Sequence, residues 1–545
     1  MTPSTTARPI ALWLTTGALG VAGLLAATTV SAAPPVPTVN SENVTPLASL
    51  PETAAISMEF ARTGPFAYVS STDTISVLDL TEARDPKLRG TLVNALFENE
   101  SMTYGERVID GTLTRFVIAA IDLVQAAPTD PTHVNVDSGP EVAIVDVTDP
   151  DAPFIRSRTP QQPAEGAATT STHTVQCVDQ ADCRYAYTAG TGSAFSILDL
   201  TDLDAPRQLT TVASPAAGPG KDGFARGAGH YWDFDTAGVG WHTGSGGAAA
   251  YDVSDPVAPV LIAATNALGR GKPINDFILH NSMRPNAGAF KPGAPPSIAN
   301  GNVLLVTEED YADEGDEVVC SEAGSFQTWY VPDLDGAAYR QRNPDGKTQD
   351  VGTIAPLDQV NAPVDFGGGA SLPVTGFCSA HWFDVHQDGF VALGHYGAGL
   401  RILDVRDPRK IAQLGYATGV ATQVWDAYWV PVRDAAGVAV PGQKTNIVYT
   451  ADAVRGIEVF EVALPAPAAA PGAGAAPSTG GSPTTGAPTS GSTTGAPTLA
   501  ASGTGSGSGS GGGGSLAATG LSPVLPALAV ALMAGTAAAR RRRHA

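Results

Sequence analysis

The chain returns repeatedly to one pattern. VAIVDVTDPDAPFI, from Val142 to Ile155, comes back as ISVLDLTEARDPKL from Ile75, FSILDLTDLDAPRQL from Phe195, AAYDVSDPVAPVL from Ala249 and RILDVRDPRKIAQL from Arg401. GIEVFEV, from Gly456, is a shortened last copy. Self-similarity of this kind means one supersecondary unit stacked on copies of itself, because a single unit cannot bury its apolar faces alone.

One copy can be read physically. Both alternating sets of positions in Val142–Val147 are apolar up to Asp146, so the strand is covered on both faces. Asp149-Pro150 ends it, since Asp starts turns with its own side chain and Pro cannot donate to a ladder. Pro153 opens the next strand, which fits only an edge strand. The unit is therefore a small antiparallel sheet with a free last strand, a propeller blade. These copies resemble the LVIVD-repeat family of bacterial β-propellers, over roughly Thr45 to Val462. That resemblance implies the fold and says little about activity.

The marker acids Asp79, Asp146, Asp199, Asp252, Asp404 and Glu461 stand 67, 53, 53, 152 and 57 residues apart. The long step hides a further blade, with SFQTWYVPD around Trp329 as its third strand. The fold class is thus all-β: a single propeller of seven blades of four antiparallel strands, six or eight staying open. Ala337 to Leu372 reads as a loop insertion rather than strands. The last copy stops at Val462 without an outer strand, while Thr45–Thr53 looks like an outer strand with no blade of its own. Pro46–Leu50 is expected to pair with Ile457–Val462 and close the ring, removing the open edge.

The two ends are of different composition. Arg8, the apolar run Ile10 to Ala27 and the small residues of Val30-Ser31-Ala32 read as a secretory signal peptide over 1–32, cut after Ala32 or Ala33. The propeller then occupies 33–462. Ala463–Ser515 has no charged or aromatic side chain and is expected to be a disordered Ala/Pro/Gly/Ser/Thr-rich tether. Residues 516–545 hold Leu516-Ala517-Ala518-Thr519-Gly520, an apolar run Leu521–Ala539 long enough for a membrane-spanning helix, and Arg540–Arg543. Together these resemble the sorting signal of sortase substrates in Gram-positive bacteria, in the LAxTG form of high-GC species. The resemblance implies cleavage between Thr519 and Gly520, and covalent attachment of Thr519 to cell-wall peptidoglycan. A plain C-terminal membrane anchor is the alternative. Leu372-Pro373-Val374-Thr375-Gly376 matches the commoner LPxTG pattern, but no span or basic tail follows it.

The net charge of −22 excludes nucleic acid and anionic lipid headgroups as natural partners. The end segments carry Arg8 and Arg540–Arg543 and no acid, so the propeller itself is more acidic still. With an export signal, four Cys read as two disulfides. Cys177 and Cys183 flank a hairpin loop, and Cys320 and Cys378 bracket the long insertion.

No nucleotide loop, Gly-x-Ser-x-Gly elbow or His-Glu-x-x-His helix occurs. The acidic run Glu308 to Glu317 could take Ca²⁺ but lacks the alternating order of known loops, and a solvated loop is the plainer reading. For most of Trp232, Trp241, Trp329, Trp382, Trp425 and Trp429, packing between blades is expected.

Histidine is more pointed. Of nine, His173, His230, His280 and His381 sit at one equivalent place, the start of a blade's innermost strand. Equivalent positions converge on the propeller axis, so the four form part of a ring at one mouth of the channel. His395 and Glu308, each ending a second strand, approach the same mouth. His242 and His386 fall near other strand ends. Imidazoles from several rigid strands suit a transition metal, an arrangement similar to that of propeller oxidases of the selenium-binding type. The plainer reading gives each His a structural hydrogen bond to a neighbouring backbone or carboxylate, as in WD-repeat propellers. Two functions follow: a wall-displayed binding module for a protein or small-molecule ligand, or a metal-dependent, oxidoreductase-like enzyme at the channel mouth. The first is preferred here.

Overall fold

The computed structural model describes residues 30–465 apart from 32, 36, 52–53, 72–73, 94–100, 122–140, 162–172, 190–193, 214–228, 245–246, 266–267, 270–271, 274–277, 310–323, 343–351, 362–378 and 420. Seven antiparallel sheets follow one another, each with its inner, second, third and outer strands in order. The inner strands are Ser57–Phe60, Met102–Ile109, Thr174–Cys177, Gly229–Phe234, Ile278–Met283, Phe383–His386 and Val424–Arg433. Blades 1 to 7 are numbered in that order.

The ring closes as expected. Val44–Leu50 pairs with Gly456–Val462, Pro46 opposite Phe460 and Leu50 opposite Ile457, so the seventh blade takes its outer strand from the other end of the chain. Short strands add to two outer edges: Val30–Ser31 on blade 1 and Val39–Asn40 on blade 6.

The hidden blade is blade 5, with Phe326–Tyr330 as its third strand. One expectation about it is corrected. The region read as loop insertion contains the outer strand of this blade, Ala355–Val360, in which Asp358 lies opposite Thr328. It also contains a six-residue helix, Ala337–Arg342. The strand APLDQV is exposed or half-exposed along its whole length, so it lacks the apolar alternation that announces a strand.

The repeated Asp is a turn former. The Oδ1 atoms of Asp79, Asp146, Asp199, Asp252 and Asp404 each accept from the backbone N–H two residues on, at 2.8–3.0 Å. The other oxygen ties the turn outward: Arg89 bridges Asp79 of its own blade and Asp151 of the next, and Arg156 does the same for Asp146 and Asp204.

Among the described residues the buried apolar side chains form seven clusters, each shared by two neighbouring blades. Every sheet is thereby covered on both faces, which is why the repeat has no polar side. Trp232, Trp241, Trp329 and Trp429 are fully buried in or beside these clusters. Cys177 and Cys183 form the expected disulfide, with Cα atoms 5.6 Å apart across a short 3-10 turn. Cys320 and Cys378, the Leu372–Gly376 pentapeptide, most of the acidic run, residues 1–29 and everything from 466 onward lie outside the described residues. No helix among the described residues is long and apolar enough to cross a membrane.

Candidate functional site

Four consecutive blades, 3 to 6, place a buried imidazole where the inner strands begin. His173 Nε2 lies 3.2 Å from His230 Nε2. The ring centres of His230 and His280 are 4.0 Å apart, as are those of His280 and His381. The expected partial ring is therefore formed, as a chain of contacts running from blade to blade.

Backbone partners fix two of these rings. His230 Nδ1 is 3.0 Å from the carbonyl oxygen of His280, and His381 Nδ1 is 3.1 Å from that of Trp425. A carbonyl can only accept, so in both rings Nδ1 carries the proton and Nε2 presents a lone pair. His173 then donates from its Nε2 to His230. Hydrogen bonding at one ring nitrogen to orient the other is the usual support of a metal-ligating histidine. The same bonds join blade 4 to 5 and blade 6 to 7, so the structural reading of these histidines also holds; the Nε2 lone pair of His230 accepts from His173, a bond that an ion at His230 would have to displace. Blade 7 can approach so closely because residue 394 is glycine: a Cβ there would overlap the carbonyl of Trp425.

The carboxylate at this mouth belongs to Glu309, the last residue of the second strand Val303–Glu309. Its Oε2 lies 3.9 Å from His280 Nε2, and its Oε1 lies 3.8 Å from His381 Nε2. His230, His280 and Glu309 bring one donor atom each within 4.8 Å of one another. Donor atoms bound tetrahedrally at about 2.0–2.1 Å stand roughly 3.3 Å apart, so the side chains would draw inward on an ion. Two imidazoles and one carboxylate suit a borderline d-block metal; Ca²⁺ and Mg²⁺ prefer oxygen throughout.

The expected carboxylate was Glu308, and here the structure differs. Glu308 accepts from Ser325 Oγ at 2.7 Å and Gln327 Nε2 at 3.2 Å, inside its own blade. Successive strand residues face opposite ways, so only one member of a Glu-Glu pair can reach a given point. The remainder of the acidic run, residues 310–317, lies outside the described residues. His395 is buried beside the Arg401 cation, and burial, then that charge, lowers its pKa to about 3. It is not one of the three clustered donors, and a neighbouring cation suits it poorly for a metal. His242 stacks on Trp232 at 4.6 Å, and burial lowers its pKa to about 3 as well. His386 packs against Trp429, 5.2 Å between ring centres.

One residue missed in the sequence, Tyr396, and one of the tryptophans noted there, Trp382, complete the site. Tyr396 donates its phenol proton to Glu309 Oε1 at 2.5 Å and packs 4.5 Å from the His381 ring. Trp382 makes edge-on contacts, 4.5 Å from His280 and 4.6 Å from Tyr231 between ring centres. Burial, and after it the charges of Asp233, Glu59 and Asp426, raises the pKa of Tyr231 well above the ordinary value. Burial raises the Glu59 pKa to about 8, Lys444 partly opposing it, and raises that of Asp233 to about 7.

No protein-family model matches the chain, and no curated protein does either.

Proposed function

We propose that this chain is an exported surface β-propeller of the LVIVD type that binds a transition-metal ion at one mouth of its channel. The observation that carries the reading is the convergence of His230, His280 and Glu309 within 4.8 Å, buried on the axis side of blades 4 and 5. The ring of His230 is oriented by a backbone carbonyl, and an ion would take its Nε2 in place of the bond from His173. His381 stands beside Glu309 with its Nε2 oriented in the same way. The protein thus acts as a binding module whose ligand is the ion. Three protein donors leave a coordination position for a further ligand.

The leader over 1–32, the charge-free tether 463–515 and the signal at Leu516–Gly520 support display on a Gram-positive cell wall, covalently through Thr519 after sortase cleavage. Release by a wall-digesting enzyme, but not by detergent alone, is the expected result; release by detergent alone would make it a membrane anchor. For the ion, untagged protein from metal-replete culture is to be analysed by mass spectrometry of its elements. About one equivalent of a d-block metal is expected, and its loss in His280→Ala. Metal-free protein that also fails to take up Zn²⁺, Cu²⁺ or Co²⁺ would overturn the reading.

A further inference from the structure

Tyr396 has a backbone that only an imposed constraint explains. Its φ is +35°, a region uncommon for residues other than glycine. The constraint is visible: Tyr396 N–H donates to Val424 O at 2.9 Å, and Val424 N–H returns the bond to Tyr396 O at 3.1 Å. Gly399 N–H adds a third bond to the same Tyr396 carbonyl at 3.0 Å. The turn after the second strand of blade 6 is therefore clamped to blade 7, and it aims the phenol across to blade 5. Both ends of the resulting hydrogen bond are buried, Tyr396 1% and Glu309 0% exposed. Strained backbone held by its surroundings concentrates at functional sites. Here the strain delivers one hydroxyl to one carboxylate oxygen.

The two oxygens of Glu309 have different surroundings. Oε1 receives the phenol at 2.5 Å and faces His381. Oε2 faces His280. We propose that Tyr396 is a positioning residue that fixes Glu309 as a one-oxygen ligand. Oε1 is held by the phenol and Oε2 is turned to the ion, which makes the site select four-coordinate d-block ions over six-coordinate ones. The proposal rests on the metal reading above and goes beyond it by assigning the coordination mode and the ion class. A carboxylate free to bind through both oxygens adds a donor and favours larger, higher-coordinate ions. A carboxylate held at one oxygen keeps the coordination number low.

The test is the visible spectrum of the full protein loaded with Co²⁺, together with competition between Co²⁺ and Mn²⁺, in the wild type, Tyr396→Phe and Tyr396→Phe in a Glu309→Gln background. The wild type is expected to show the intense d–d bands of four-coordinate cobalt. Tyr396→Phe keeps the ring and removes only the hydroxyl. It is expected to show the weak bands of five- or six-coordinate cobalt and to lose roughly 10- to 100-fold in Co²⁺ affinity, but less for Mn²⁺. In the Glu309→Gln background the same change is expected to have no further effect on either metal. Glu309→Asp, which withdraws the carboxylate from the phenol, is a second route to the same spectral change should Tyr396→Phe fold poorly. Unchanged spectra and unchanged selectivity in both single variants would overturn this proposal alone. A wild type that binds no Co²⁺ would instead overturn the metal reading beneath it.

Discussion

The two sides of the ring are stitched by different chemistry. From blade 6 through blades 7 and 1 to blade 2, a carboxylate or hydroxyl on one inner strand accepts a backbone N–H of the next. Asp384 takes that of Trp429 at 3.0 Å, Asp426 that of Met58 at 2.6 Å and Ser57 that of Met102 at 2.9 Å. On the side of blades 3 to 6 the direction reverses. Thr174 and Thr243 donate hydroxyls to the carbonyls of His230 and His280, and His230 and His381 donate ring N–H groups to the carbonyls of His280 and Trp425. An aspartate used as a stitch accepts through one oxygen of its carboxylate, Oδ2 in both Asp384 and Asp426. A histidine used as a stitch donates from Nδ1 to a neighbouring carbonyl, and that bond sets the direction of its Nε2. The ligand set proposed above lies on the histidine side of the ring.

The largest effect that would sharpen this contrast is on metal binding. Glu309→Gln or His280→Ala is expected to cost more than the roughly 10–100-fold typical of supporting residues. Asp426→Asn, on the other side, should leave affinity unchanged in the same titration calorimetry. A comparable loss from Asp426→Asn would break the contrast.

Stability effects are expected on both sides of the ring. Asp426→Ala leaves the Met58 N–H without its acceptor at a buried position, and about 1–3 kcal/mol is expected from the urea midpoint. Replacing Cys177 and Cys183 by Ser opens a loop of sequence separation 6, for which chain entropy gives about 2 kcal/mol. Neither change should alter metal content.

The pH dependence is smaller and has two limbs. His242 has a folded pKa of about 3 against the ordinary 6.5, so the unfolded chain takes up the proton first. Its contribution is intact above pH 6.5 and is lost as pH falls from there toward 3. Glu59 has a folded pKa of about 8 against 4.5, so the folded protein holds its proton longer. Its contribution is present at low pH and is lost as pH rises from 4.5 to 8; Asp233, raised to about 7, acts in the same direction. His395, also lowered to about 3, adds to the acid limb, and the two windows overlap between pH 4.5 and 6.5, where melting temperature should be highest; His242→Gln should weaken the acid limb and Glu59→Gln the alkaline one. A profile that neither substitution changes would contradict these assignments.

Much of this was legible in the sequence. Blade number followed from the spacing of the repeated Asp, because each marks the same turn. Closure followed from counting a missing outer strand at one end and a surplus one at the other. The outer strand of blade 5 was not legible, since APLDQV shows solvent both its faces. At the site, the four histidines could be aligned because they share a position within a repeat. Choosing between Glu308 and Glu309 required the strand's pleat, which a one-residue error inverts. Tyr396 adjoins His395 in the sequence, yet its role depends on a positive φ imposed by Val424, almost thirty residues further on.

The most direct measurement of the central claim is anomalous X-ray scattering from crystals of the untagged protein, collected on both sides of the absorption edge of whichever metal it carries. A single anomalous peak is predicted, about 2.0–2.1 Å from His230 Nε2, His280 Nε2 and one oxygen of Glu309, with the phenol of Tyr396 on the other oxygen. A peak elsewhere, or no peak after soaking in Zn²⁺ and Co²⁺, would contradict it and leave the imidazoles with their stitching role alone.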